Sequence, residues 1–193
     1  MKFSLKQAQF GNDKYGTAPD PFTYGVDEIV KRIGLQLGAV EGVEDYRHKY
    51  DNVVVVRIVQ CEKHPNADKL NVCMVDDSGV TQGVDRDAAG LVQVVCGAPN
   101  ARSGMLTAWV PPTATVPSTV GKPGTEPFVL ESRELRGVVS NGMLASASEL
   151  DISDDHEGIL EIAENELSAP DGVGLSLASA CNLDDYVIDC ENK

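Results

Sequence analysis

Short β-type segments separated by turn residues occupy the middle of the chain and restrict the folds open to it. The first, Val53 to Val59, is a run of mainly β-branched residues. Five similar segments follow, with glycine, proline or asparagine between them: Leu70 to Val75, Leu91 to Cys96, Met105 to Val110, Phe128 to Leu135 and Ile159 to Ile162. Many short strands joined by turns predict a small β-barrel or β-sandwich.

The two ends of the chain have a different pattern. A strand is predicted at Lys2 to Leu5, a loop over Gly11 to Gly25, and a last strand at Tyr186 to Cys190. Between them, apolar residues at helical spacing predict a helix that ends before Gly38, and they are Val26, Ile29, Val30, Ile33 and Leu37. A strand near Ala39 to Val43 follows it. Because isolated strands need partners, both ends are expected to form one α+β unit into which the barrel is inserted.

Three connections have their own signals. The segment Asp76 to Gly90 is long and polar, which predicts a mobile insertion between two strands. Ser146 to Glu149 has the pattern of a capping box, which predicts one helical turn there. The chain is expected to turn again at Ala169 to Gly172.

Composition excludes several classes of protein. The chain has 193 residues, and its longest apolar run is too short to cross a bilayer, so no membrane partner is predicted and a cytoplasmic location is expected. Five cysteines without a Cys-x-x-Cys pair predict buried thiols, and no metal site. The histidines His48, His64 and His156 are scattered, which predicts loop or surface positions. The formal net charge of -14 argues against strong nucleic-acid binding.

Three motifs in this order resemble one family. They are His64-Pro65-Asn66-Ala67-Asp68-Lys69-Leu70, Val95-Cys96-Gly97-Ala98-Pro99-Asn100, and Leu135-Arg136-Gly137-Val138 with Ser140-Asn141-Gly142-Met143-Leu144. Together they are similar to the tRNA-binding-type OB domain of phenylalanyl-tRNA synthetase beta subunits. The flanking segments Ile33 to Glu44 and Leu183 to Asp189 resemble the domain into which that family inserts its barrel.

The resemblance implies a fold class, a division into domains and partners. The expected fold is α+β, an OB-fold β-barrel inserted in a small split α+β domain. Residues 1-52 would be the first part of the split domain, 53-162 the OB domain, and 163-193 a linker and the returning part. The chain would be a non-catalytic amino-terminal fragment of a longer ligase subunit. Its implied partners are phenylalanine-specific tRNA and the alpha subunit in an alpha2-beta2 assembly. ATP and magnesium are implied for the full enzyme, with no cofactor in this fragment.

Five residues are candidates for tRNA contact. Asn66 and Lys69 lie in a loop, where an amide and an ammonium group could reach phosphate or sugar oxygens, although Asn66 could instead form an Asx turn and Lys69 could be solvated. Arg136 beside a glycine could present its guanidinium to a phosphate, or pair with Glu134 or Glu131. The resemblance adds Ser140 and Met143, while the glycine between them predicts a bulge or a close backbone approach.

Charge and composition keep other functions open. Residues 53 to 162 contain eight basic and fifteen acidic residues, a net charge of -7, and few aromatic residues, so a single-strand-binding protein is not expected. No catalytic residue is predicted, and the acidic run Asp154 to Glu157 is expected to be a solvated loop. The alternatives are a free-standing tRNA-binding OB protein and a purely structural module for subunit packing.

Overall fold

Strands from opposite ends of the chain pair with each other in the computed structural model. Strand β1 (Lys2–Ser4) lies antiparallel to β10 (Tyr186–Cys190), which also pairs antiparallel with β2 (Val40–Asp45). The structure describes residues 1–15, 23–121, 124, 126–168 and 172–191. Residues 1–48 and 183–193 form one compact unit, and residues 49–182 form the other. The prediction of an α+β domain split by an inserted barrel is therefore confirmed.

Two helices cover the three-stranded sheet. Helix α2 (Val26–Gln36) packs four of the five predicted apolar residues in one cluster with Ile188 and Cys190 of β10. The fifth, Leu37, follows the helix and is 70% exposed. Helix α1 (Leu5–Tyr15) was not predicted, because Leu5 is its only buried residue and its apolar periodicity is weak. The N–H of Gln7 donates to the Ser4 hydroxyl (3.0 Å), which caps the start of this helix. No helix among the described residues is long and apolar enough to cross a membrane.

A five-stranded antiparallel sheet forms most of the inserted unit. Its strand order is β5-β4-β3-β6-β9, and the strands are β3 (Val54–Lys63), β4 (Asn71–Asp76), β5 (Val92–Cys96), β6 (Leu106–Val110) and β9 (Met143–Leu144). Alternating side chains of the long strands fill the barrel interior, including Val56, Ile58, Val75, Val94 and Trp109. An irregularity after Ile58 increases the bend of β3.

A hairpin of β7 (Ser132–Leu135) and β8 (Val138–Asn141) nearly closes the barrel against β5. Side chains make this junction, which we call the seam. The N–H of Val95 donates to the Ser140 hydroxyl (2.9 Å), and Gln93 Nε2 donates to the carbonyl of Val139 (2.7 Å). In the other direction, Asn141 Nδ2 donates to the carbonyl of Gln93 (3.3 Å). The result is the predicted OB-type barrel.

The turn from β8 to β9 requires a glycine. Gly142 has φ of +81°, and a Cβ there would overlap the carbonyl oxygen of Val110. The indole N–H of fully buried Trp109 donates to the carbonyl of Asn141 (2.8 Å) beside it. The predicted close backbone approach at Gly142 is therefore present.

Some strand predictions were wrong. The segment predicted as a strand from Phe128 forms β7 only from Ser132, and Ile159 to Ile162 makes a single isolated bridge through Glu161. Strands β8 and β9 were not predicted, because they are short and interrupted by Gly142. Their strand geometry comes from tertiary pairing rather than from residue preference.

The second domain boundary also differs from the one drawn on the sequence. Residues up to 182 belong to the barrel unit, so only 183–193 return to the split domain. Backbone bonds explain this, since Gly174 N donates to the Val55 carbonyl (2.8 Å) and Leu177 N to the Val53 carbonyl (2.7 Å). The short helix α3 (Leu177–Ala180) follows directly and buries Leu177. Residues 169–171 of the turn predicted at Ala169 to Gly172 lie outside the described residues.

A buried ion pair organises the segment predicted to be a mobile insertion. Asp77 is fully buried, and its two carboxylate oxygens accept bonds from Arg86 Nη1 (2.6 Å) and Nη2 (2.9 Å). The N–H groups of Gly79 and Thr81 donate to the same carboxylate, each at 3.0 Å. Burial by itself raises the pKa of Asp77, but these bonds outweigh it and lower the pKa to about 2.

The predicted capping box is present in a single turn. The N–H of Glu149 donates to the Ser146 hydroxyl (3.2 Å), and the Glu149 carboxylate accepts from the N–H of Ser146 (2.7 Å). The N–H of Leu150 then donates to the Ser146 carbonyl at helical spacing (3.2 Å). The helix does not continue beyond this turn.

Replacing Ser140 with alanine is expected to destabilise the protein by about 1 to 2 kcal/mol, because the N–H of Val95 in the seam loses its acceptor. Urea unfolding followed by circular dichroism measures the change. Ser103→Ala, an exposed serine, is the control and should leave the midpoint unchanged. Equal midpoints for the two variants would show that the seam does not depend on this hydroxyl.

The Asp77 carboxylate is expected to make folding sensitive to acid. Its pKa in the folded chain is lowered from 3.8 to about 2, so its stabilisation is complete above about pH 5 and is lost as the pH falls through 4 and 2 to about 1. Asp77→Asn should lose about 3 kcal/mol at pH 7 and flatten the pH dependence between pH 4 and 2. Asp85→Asn, at an exposed site, should behave as wild type. An Asp77→Asn variant with an unchanged acid transition would contradict this assignment.

Candidate nucleic-acid interface

A buried histidine joins two of the sequence motifs. His64 lies in the loop after β3, as one of the two predicted positions, but it is only 5% exposed and is not a surface residue. Its Nδ1 accepts the N–H of Asn66 (3.0 Å), so the ring proton must be on Nε2. That nitrogen lies 3.0 Å from the carbonyl oxygen of Leu135, to which it donates. The β3–β4 turn is therefore bound to the end of β7.

Asn66 makes a second connection between the same segments. Its Nδ2 donates to the carbonyl of Arg136 (3.0 Å), and this bond fixes which end of the amide faces the hairpin. The side chain therefore reaches across to the hairpin instead of forming the alternative Asx turn. Asn66 is exposed, and its Oδ1 has no hydrogen-bond partner among the described residues.

The two-residue turn of the hairpin places Arg136 at its tip. Arg136 and Gly137 have φ of +50° and +88°, as a type I′ turn requires. This backbone costs an arginine roughly 1 kcal/mol relative to glycine. A Cβ on Gly137 would lie 3.5 Å from Asn66 Nδ2, so the turn and the hairpin are in close contact.

Unpaired cations are concentrated in these two segments. In the barrel unit, four basic side chains form ion pairs with carboxylates: Lys49, Arg57, Arg86 and Arg102. The other four whose positions are described form none, and all four are exposed: Lys63, Lys69, Arg133 and Arg136. We call these four residues the cation cluster. Lys63 ends β3, Lys69 lies in the turn after it, and Arg133 and Arg136 lie in the hairpin bound to that turn.

The cation cluster includes two of the five predicted residues and adds others. Lys69 and Arg136 belong to it, and Arg136 does not form the alternative ion pair with Glu131 or Glu134. Arg133 was missed, because nothing in the sequence indicates that β7 lies beside the β3–β4 turn. Glu62, Asp68 and Glu134 are exposed in the same segments, so the local charge is mixed rather than uniformly positive.

Ser140 and Met143 are placed elsewhere. Ser140 is 3% exposed, and its hydroxyl is used in the seam, where it also donates to the carbonyl of Gly142 (3.0 Å). Met143 is half-buried and lines a groove of about 600 Å³ together with Gly97, Pro99 and Gly158. The lining of this groove does not include the cation cluster.

Hydrogen bonds of Asn100 join two segments that line the groove near the β3–β4 turn. Asn100 pairs with the backbone of Ile159 in both directions, donating from Nδ2 (2.9 Å) and accepting at Oδ1 (3.0 Å). Asn100 is thus a structural residue. A Cβ on Gly97 would lie 3.4 Å from a methyl group of Leu70, so the lining of the groove begins where the turn ends.

Aromatic side chains offer little surface for stacking. Trp109 is fully buried and Tyr50 is 3% exposed, whereas Phe128 is 51% exposed. These are the three aromatic residues between 49 and 182, and all are described. OB folds that bind single strands stack bases on several rings. The described surface of this barrel therefore offers Phe128 as its one exposed ring for stacking.

Comparisons with known proteins agree with the three motifs. The family model described as "Putative tRNA binding domain" matches residues 53–170. The phenylalanine-tRNA ligase beta subunit of Rhodopseudomonas palustris is 43% identical over 157 residues, which cover 81% of this chain and 17% of that protein. The one from Nitrobacter winogradskyi is also 43% identical, over 98% of this chain and 20% of its own length.

Solved structures give a more distant likeness. A MetRS related protein from Pyrococcus horikoshii matches 80% of this chain and 96% of its own, with 18% identity and a TM-score of 0.38. The chain spans about a fifth of the length of the curated relatives it matches. The family model covers more than half of the chain, so the chain belongs to the tRNA-binding domain family, in the form found in phenylalanine-tRNA ligase beta subunits.

Proposed function

We propose that the barrel binds tRNA through the cation cluster, as a non-catalytic part of a phenylalanine-tRNA ligase beta subunit. The observation that carries this proposal is the placement of four unpaired cations on two segments held together by His64 and Asn66. Cations that already have carboxylate partners gain less from a phosphate, because the existing pair must first be broken. The cation cluster has no such cost.

Each part of the cation cluster suits a different atom of the RNA backbone. The guanidinium groups of Arg133 and Arg136 can bind phosphate oxygens in pairs, while Lys63 and Lys69 act as point charges. The free Oδ1 of Asn66 can accept a hydrogen bond from a ribose 2′-hydroxyl, which is present in RNA and absent from DNA. Affinity then comes from the backbone and carries little sequence information.

We infer that the preferred RNA is structured rather than single-stranded. The single exposed ring of the barrel, Phe128, cannot provide the series of stacking surfaces that unpaired bases require. A folded tRNA instead offers phosphates at fixed positions, which suits fixed cations. The net charge of -7 over residues 53 to 162 keeps this binding weak in isolation.

The remaining parts of the proposal rest on the relatives. In them the complete ligase joins phenylalanine to its tRNA, and we assign ATP, magnesium and the catalytic residues to parts outside this chain. An alpha subunit in an alpha2-beta2 assembly and a cytoplasmic location complete the proposal. Ser140 and Met143 are kept as contributors, Ser140 by holding the hairpin in place and Met143 through the groove.

A structural module for subunit packing is the second candidate function. The acidic balance of the barrel favours it, because a negatively charged surface repels the RNA backbone. A free-standing tRNA-binding protein is less well supported, since the relatives align over both the barrel and the split domain. Absence of tRNA binding at low salt would favour the structural module.

Replacing Arg136 with asparagine should weaken tRNA binding and its dependence on salt. Four phosphate contacts predict a slope of about -3 for log affinity against log salt, and loss of one should make it shallower by about 0.8. Asparagine removes the charge and tolerates the positive φ of this site, so the hairpin is kept. Fluorescence titrations at several salt concentrations measure both values.

Lys31→Ala provides the matched control for this experiment. It changes the net charge by the same amount but lies in α2 of the split domain, so the slope should equal that of wild type. Lys69→Ala should resemble Arg136→Asn. Equal slopes for Arg136→Asn and Lys31→Ala would mean that the cation cluster does not touch the RNA.

Competition should distinguish structured from single-stranded RNA. A short RNA duplex is expected to displace labelled tRNA more effectively than oligouridine with the same number of phosphates, because Phe128 is the single exposed ring among the described residues of the barrel. The ratio of the two inhibitory concentrations is the measurement. Stronger competition by oligouridine would reveal a base-binding surface and contradict the inferred preference.

A further inference from the structure

Two cysteines face each other across the strands that lead into the cation cluster. Cys61 of β3 and Cys73 of β4 are directly opposite in the antiparallel register, and their Sγ atoms are 3.6 Å apart. Cys61 is half-buried, and Cys73 is fully buried in the barrel core. The tRNA-binding proposal uses neither thiol.

The register is suitable for a bond between them. The N–H of His64 donates to the carbonyl of Leu70, so 64 and 70 occupy a hydrogen-bonded position at the end of this ladder, although the N–H of Leu70 turns to the carbonyl of Ala67. Pair types alternate along an antiparallel ladder, so Cys61 and Cys73, three steps away, are a non-hydrogen-bonded pair. Cα atoms in such pairs are about 4.5 Å apart, within the range that disulfides span.

A third cysteine nearby is less well placed. Cys96 of β5 is opposite Asn71, two residues along β4 from Cys73, so Cys73 and Cys96 are diagonal neighbours. Diagonal Cα atoms are roughly 7 to 8 Å apart, beyond the usual disulfide span. Cys96 Sγ instead accepts the N–H of Ala98 (3.4 Å).

We propose that Cys61 and Cys73 form a reversible cross-strand disulfide when the protein meets a peroxide. The Cys61 thiol loses its proton and its sulfur attacks one oxygen of hydrogen peroxide. The O–O bond breaks, the sulfur becomes a sulfenic acid, and the departing hydroxide takes up the released proton to give water. The Cys73 sulfur then attacks the Cys61 sulfur and loses its proton, while the hydroxyl group leaves as water. In total, two thiols and one peroxide give one disulfide and two waters.

Exposure sets the order of the two steps. The oxidant can reach half-buried Cys61, whereas Cys73 has no exposed surface. Burial raises the pKa of the Cys73 thiol, with the neighbouring Cys61 adding to the effect, so Cys73 is a poor first nucleophile in water. It needs no access to solvent for the second step, because its partner sulfur is already in contact.

The disulfide would fix the hairpin that presents Asn66 and Lys69. Its loop is short, and the bond removes freedom mainly from the unfolded chain, so the thermal midpoint should rise by roughly 5 °C. A dithiol reductant would reverse the change. This modification does not require that the barrel bind RNA.

Mass spectrometry of the full chain tests the proposal. The reduced protein is treated with hydrogen peroxide, its remaining thiols are blocked with N-ethylmaleimide, and intact mass and unreduced peptides are measured. We expect loss of two of the five thiols, a peptide link between Cys61 and Cys73, and full recovery with dithiothreitol. Cys61→Ser should abolish the link, and Cys181→Ser, the matched control, should keep it.

A variant of the buried cysteine separates chemistry from folding. If Cys73→Ala remains folded by circular dichroism, dimedone should trap the sulfenic acid on Cys61. If Cys73→Ala unfolds, the test rests on the Cys61–Cys73 link in wild type and its loss in Cys61→Ser. A link that joins Cys73 to Cys96 would overturn the proposal. So would five intact thiols in wild type, or a Cys61 that goes on to sulfinic acid without forming the bond.

Discussion

The seam between β5 and β8 is the constraint on which the barrel depends. Side chains supply most of its hydrogen bonds, with Ser140 accepting from the Val95 N–H and Gln93 and Asn141 completing the contact. Without it, the β7–β8 hairpin would lose these bonds to the five-stranded sheet, and β5 would be an open edge. The seam also sets the position of the hairpin tip, which carries Arg136. The bonds that close the barrel therefore also position the hairpin residues of the candidate interface.

For binding an anionic partner, the positions of the charged side chains matter more than the net charge of the chain. The chain as a whole is strongly acidic, yet carboxylates neutralise only some of the barrel's basic side chains. Arg86 is held by buried Asp77 and orders the insertion after β4, whereas Arg133 and Arg136 remain without acidic partners. Two neutral residues, His64 and Asn66, bring the unpaired cations together without adding charge. An acidic protein can thus retain a small site for an anionic partner, at the cost of sensitivity to salt.

Residues with similar sequence signals have different uses in this fold. Asn66 and Asn100 each directly follow a proline, and each binds backbone atoms of a distant segment. Asn100 is half-buried and both ends of its amide bind Ile159, whereas Asn66 is exposed and keeps Oδ1 free. Ser140 is buried, and its hydroxyl both accepts and donates a hydrogen bond within the fold. Hydrogen-bond capacity, rather than residue type, separates structural residues from candidate contacts.

The sequence by itself determined the α+β class, the apolar face of α2, the pairing of the two chain ends and the three motifs of the family. These follow from local periodicity, turn residues and the order of short motifs. Only the tertiary structure decided that His64 is buried, that β8 and β9 are strands, that residues 172–182 stay with the barrel, and that Arg133 lies in the segments joined to the β3–β4 turn. Each depends on bonds between residues far apart in the chain, which leave no periodic signal in the segment itself.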